Sequence, residues 1–80
     1  MRVIEEIPHS EFKITVYSWN GKYIIKFEKG MYEQTYKVSE MDVIGDEDIR
    51  KLIQDEEFMK SIMSRFKDMN GSLNGALNKL

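Results

Sequence analysis

The stretch Phe12-Lys13-Ile14-Thr15-Val16-Tyr17-Ser18-Trp19-Asn20-Gly21-Lys22-Tyr23-Ile24-Ile25-Lys26-Phe27-Glu28 decides the fold. Asn20 and Gly21 both tolerate a positive φ, which a type I′ turn demands at its two central positions, and strand-like sequence flanks them on each side. A two-residue turn also sets the register, so Trp19 faces Lys22 and pairing proceeds outward from there. Ser18, Val16 and Ile14 then oppose Tyr23, Ile25 and Phe27 on one face, which is apolar. Trp19, Tyr17, Thr15 and Lys13 oppose Lys22, Ile24, Lys26 and Glu28 on the other. The last of these is an opposite-charge pair that supports the register.

Outward from this hairpin, Lys29-Gly30 offers a second turn into Met31-Tyr32-Glu33-Gln34-Thr35-Tyr36-Lys37-Val38. With Lys29 and Gly30 central, Tyr32, Gln34, Tyr36 and Val38 join the apolar face. Glu33, Thr35 and Lys37 join the polar one, Glu33 opposite Lys26. A slip of one residue would exchange the two sets. Upstream, Arg2-Val3-Ile4-Glu5-Glu6-Ile7 reads as an edge strand that Pro8 ends.

From residue 39 the period changes from two to that of a helix. Ser39-Glu40-Met41-Asp42 has capping-box spacing, but Gly45 stops anything long, so 39–45 is expected to be a loop or a single turn. Asp46 is the expected N-cap of a helix carrying Ile49, Leu52 and Ile53, with Glu47 and Asp48 where the helix dipole favours acids. Asp55-Glu56-Glu57 looks like a second start. After it Phe58, Ile62, Phe66 and Met69 form an apolar stripe that Met59 and Met63 widen. Asn70-Gly71 reads as a stop, and Leu73, Leu77 and Leu80 recur at helical spacing in the tail beyond. The expectation is one α+β domain over residues 1–80: an antiparallel meander of three to four strands (1–38), a loop (39–45) and a helical part (46–80) packed on one sheet face.

A chain of 80 residues buries only about 60–65% of its unfolded surface, and small domains without a staple often self-associate. The absence of cysteine fits a reducing compartment and leaves no disulfide scaffold or thiolate zinc site. No apolar run nears the roughly 20 residues of a membrane span, and Glu5 and Glu6 interrupt the start where a signal peptide would be apolar. A cytoplasmic protein without a membrane partner is expected. The net charge of −2 is unevenly spread. Residues 10–39 carry Lys13, Lys22, Lys26, Lys29 and Lys37 against Glu11, Glu28 and Glu33, whereas residues 40–80 are acidic on balance.

Catalytic constellations are scarce. His9 is the sole histidine; without a second His or any Cys, transition-metal sites and Cys/His pairs lack their parts. Beside Ser10, His9 is the only base a serine triad would have. Asp42, Asp46, Glu47, Asp48, Asp55, Glu56 and Glu57 do not match a calcium-loop signature, and the clusters sit where helix starts already favour acids. No phosphate-binding glycine loop is present. The reading is of a non-enzymatic protein with no cofactor and no metal; a pocket lined by Tyr23, Tyr36 and Glu33 would instead mark an enzyme or a small-ligand binder.

The polar sheet face is more informative. It presents Lys13, Lys22, Lys26 and Lys37 beside Tyr17 and Trp19, with Thr15 and Thr35 between. Rings flanked by ammonium groups on a β-surface suit single-stranded DNA or RNA, whose bases stack while phosphates meet the lysines. The competing use of the same face is a plain solvated surface or a protein contact. A second candidate surface is the methionine-rich helix, where Met59, Met63, Phe66 and Met69 could meet a partner or a second copy.

The segments Asn20-Gly21-Lys22-Tyr23-Ile24-Ile25-Lys26-Phe27-Glu28 and Glu33-Gln34-Thr35-Tyr36-Lys37 carry a resemblance, over nearly the whole length, to a family of short bacterial proteins without an assigned activity. That resemblance implies no catalytic residues. More loosely, four strands followed by helix is similar in element order to the single-stranded-DNA-binding positive-cofactor and Whirly-type fold, whose members dimerise through their helices and bind strands on their sheets. The chain departs from it in lacking a basic excess and in carrying extra helix after residue 55. A homodimer binding single-stranded nucleic acid is the functional expectation, with a protein-interaction or assembly module as the alternative.

Overall fold

A computed structural model describes residues 1–80. Four strands, β1 (Arg2–Ile7), β2 (Lys13–Trp19), β3 (Lys22–Lys29) and β4 (Tyr32–Ser39), form an antiparallel meander in the order β1-β2-β3-β4. A single 3₁₀ turn (Glu40–Asp42) leads into α1 (Gly45–Gln54) and α2 (Glu56–Leu77). The fold is the α+β meander with C-terminal helices that the period change implies.

Asn20 and Gly21 both adopt positive φ, 53° and 75°, as a type I′ turn requires. The β2–β3 register follows, from Trp19 opposite Lys22 to Lys13 opposite Glu28. The second turn differs from expectation. Its central residues are Gly30 and Met31, closed by Lys29 opposite Tyr32. Only Gly30 of the two has positive φ, the type II′ pattern that places glycine first. The β3–β4 pairing is thereby shifted by two residues, and Lys26 opposes Thr35 rather than Glu33. Because side chains alternate with period two, a shift of two leaves every residue on its expected face.

The apolar face carries the core. Phe12, Ile14, Val16, Tyr23, Ile25 and Phe27 pack with Ile49 and Ile53 of α1 and Ile62 and Phe66 of α2. Phe27 is central, with Phe12, Tyr36 and Phe58 set edge-on around it. Gln34 also points inward. Its amide donates to the Ile62 carbonyl at 2.9 Å and its oxygen accepts from Tyr36 at 2.7 Å, so a buried polar side chain is satisfied.

Two helix boundaries depart from the sequence reading. Asp46 is not the N-cap of α1: Ile44 holds that position. The Asp46 carboxylate instead accepts the Tyr23 hydroxyl at 2.8 Å, while Asp48 reaches back to the Ile44 N–H. Asp55 does cap α2, accepting from the Glu57 N–H. Asn70-Gly71 is not a stop, for α2 runs on to Leu77. The Asn70 oxygen accepts from both Tyr32 and Asn74, so the side chain that would have closed the helix bridges to β4 and to the next turn instead. Each glycine in the extended helix costs only about 1 kcal/mol.

Candidate nucleic-acid interface

The sheet face away from the helices is made of four cross-strand rows. Pairing places Trp19 and Lys22 with Ser39 in the first, then Val3, Tyr17, Ile24 and Lys37 in the second. Glu6, Thr15, Lys26 and Thr35 form the third, and Lys13, Glu28 and Glu33 the fourth. All six residues expected to meet a strand, Lys13, Tyr17, Trp19, Lys22, Lys26 and Lys37, therefore lie on one surface. A β-bulge between Val3 and Glu5 keeps Val3 and Glu6 on this face and lets Ile4 turn toward the core.

Charge divides this surface in two. Glu6, Glu28 and Glu33 all stand in the third and fourth rows. There Glu6 lies 3.7 Å from Lys13 and Glu33 lies 3.9 Å from Lys26, across the diagonal rather than directly opposite. The first two rows hold Lys22 and Lys37 with no acid among them and no ion pair to either lysine. The rings sit at this cationic end. Trp19 is 45% exposed, and the Lys22 ammonium lies 5.5 Å from its centroid. The Lys26 ammonium lies 5.6 Å from the Tyr17 ring. Since Lys26 opposes Thr15 and Tyr17 opposes Ile24, this diagonal contact roofs the two residues between. Ile24 and Thr15 are accordingly buried on a face that no helix covers, and the Thr15 hydroxyl has no hydrogen-bond partner.

The methionine-rich surface is largely committed to the fold. Phe66 is 4% exposed and belongs to the core, and Met59, Met63 and Met69 pack against it half-buried. What α2 leaves open lies further on, where Leu73 and Leu77 are about half exposed. With Met31, Tyr32 and Met63 the helix there borders an apolar groove of about 850 Å³. Met63 and Phe66, two of the four residues expected to meet a partner, line this groove, and Leu73, beyond Asn70-Gly71, extends it.

Of the other chemistry-bearing residues, His9, Tyr23 and Arg50 have local structural partners. His9 stacks on Phe12 at 4.2 Å and its Nδ1 accepts the Glu11 N–H. Tyr23 and Tyr36 point to the helix side of the sheet and Glu33 to the other, so these three do not line a common pocket. The Tyr23 hydroxyl is held above its ordinary pKa, first by its hydrogen bond to Asp46 and then by burial. Arg50 is likewise raised by its hydrogen bond to Glu5 at 2.8 Å. No helix is long and apolar enough to cross a membrane. Comparison with protein-family models, with curated proteins and with solved structures finds no match to this chain.

Proposed function

We propose that this chain is a cytoplasmic, non-enzymatic module that acts as a homodimer and binds single-stranded nucleic acid on its open sheet face. The observation that carries the reading is the segregation of charge on that face. The two aromatic rings stand at the end bearing Lys22 and Lys37, while every acid of the face stands at the other end. A base stacked on Trp19 puts its phosphate beside an ammonium already within 5.5 Å of the ring. Stacking of this kind contributes about 1–3 kcal/mol per base and tolerates any sequence. The protein's net charge of −2 keeps long-range attraction weak, so the site is local and its affinity modest.

The test is anisotropy of a labelled oligo-dT with the wild type and with Trp19→Ala. The substitution should weaken binding roughly five- to 150-fold, the range one stack supplies, and leave thermal unfolding nearly unchanged because Trp19 is 45% exposed. Equal affinity of the two proteins would remove the ring from the site and the proposal with it. A protein-interaction module is the second reading. The apolar groove beside Leu73 favours it, and binding of no oligonucleotide by a well-folded dimer would select it.

A further inference from the structure

We infer that β4 is a dimerisation strand, pairing edge to edge with β4 of a second copy about a two-fold axis through Thr35. The inference names the contact behind the homodimer proposed above and rests on that part of the reading, not on the ligand. The two edges of the sheet differ. β1 carries a bulge and ends at Pro8, devices that discourage strand addition. β4 has eight residues, no proline and an uninterrupted register with β3.

The free edge exposes specific backbone groups. In a hairpin closed by a two-residue turn, the closing pair Lys29–Tyr32 is hydrogen-bonded, and bonded and non-bonded pairs alternate from there. Tyr32, Gln34, Tyr36 and Val38 thus direct their N–H and C=O groups to β3. Glu33, Thr35 and Lys37 direct theirs outward, where nothing receives them.

The sequence of β4 is self-complementary about Thr35. An antiparallel second copy centred there sets Glu33 opposite Lys37 of the other copy, Thr35 opposite itself and Lys37 opposite Glu33. Each of these is a pair of outward-directed residues, so each exchanges both of its backbone bonds. Both charge pairs are of opposite sign, which is favourable between facing positions. Centring on Glu33 or on Lys37 instead would place like charges face to face. The helix beneath repeats the pattern. Arg65 and Asp68 border the shallow groove along this edge and neither has an ion-pair partner within its own chain. Arg65 is anchored beside Tyr36, to whose hydroxyl it donates at 3.1 Å. A two-fold axis through Thr35 sets Tyr36 of one copy opposite Gln34 of the other, and so brings Arg65 of one toward Asp68 of its mate. An isologous contact has this reciprocity, residue i meeting j and j meeting i.

The experiment is the solution mass by light scattering, without nucleic acid, of the wild type, Lys37→Glu and the double variant Glu33→Lys/Lys37→Glu. Lys37 has no ion-pair partner in its own chain, so K37E should fold as the wild type does, which circular dichroism checks. The wild type should show twice the 9.5 kDa chain mass at about 100 μM. K37E should associate about tenfold or more weakly, because both facing pairs turn from attraction to repulsion. The double variant, with the charges exchanged, should regain the dimer. A monomeric wild type, a K37E dimer as tight as wild type, or a double variant that stays dissociated would each overturn the assignment. Trp19→Ala should remain dimeric, so failure of the ligand reading and failure of the interface give different results.

Discussion

Thr15 shows what an open sheet face costs when long side chains close over it. It is 2% exposed and its hydroxyl has no partner, a loss of hydration that nothing in the protein offsets. Thr15→Val keeps the shape and removes the orphaned group. It should raise stability by about 1 kcal/mol, seen as a higher urea midpoint with an unchanged slope; a lower midpoint would mean that the hydroxyl is satisfied in solution. Tyr23 makes the opposite case, a hydroxyl whose proton is held by Asp46. Its folded pKa lies above the ordinary 10.0, so the unfolded chain releases the proton first as pH rises. The associated stability is present in full below about pH 10 and is lost as pH climbs through the folded value. Tyr23→Phe should lack this component, so the stability difference between wild type and Y23F should shrink above pH 10. A difference that stays constant to higher pH would contradict the bond. Neither residue's role is visible in the sequence, since both depend on what lies across the sheet or above it.

At the scale of elements, legibility followed the range of the interactions that decide each one. The β2–β3 hairpin is determined within its own turn, where Asn20 and Gly21 supply two positive φ angles, and its pairing could be written residue by residue. The β3–β4 turn was harder, because Lys29-Gly30 and Gly30-Met31 both place a glycine where one is needed. The faces survived that ambiguity only because the two solutions differ by an even number of residues. The end of α2 was not legible. Asn70-Gly71 is a stop by local preference, and what overrides it is Tyr32, a residue distant in sequence that binds the Asn70 side chain. The helix therefore has two energetic halves. Ile62, fully buried under the sheet, should cost about 2–5 kcal/mol when truncated to alanine. Leu77→Ala, on a turn half open to solvent, should stay within about 0.5 kcal/mol. Urea titration of both variants checks the division, and a large loss from Leu77→Ala would show that the exposed turn is packed in solution.

Over the whole molecule, a meander with helices on one side leaves a sheet face uncovered, and the charges decide which part of that face has a use. Lys13, Tyr17, Trp19, Lys22, Lys26 and Lys37 share a surface because strand period and turn register put them there, and that much was readable from the sequence. Glu28 and Glu33 are readable there too, opposite lysines, but Glu6 is not. Glu6 belongs to β1, whose bulge decides the face it takes, and Glu33 reaches Lys26 only across a diagonal. Once those acids are placed, the candidate site contracts from the whole face to its Trp19 end. Trp19 is the only tryptophan, so its fluorescence reports on that end alone. Titration of poly-dT at low salt is the most direct measurement of the central claim. A saturable fluorescence change is expected whose affinity falls with salt, log K against log salt having a slope of about −1.4 to −2.1 for two to three phosphate contacts. Fluorescence that stays flat to high micromolar poly-dT would contradict it.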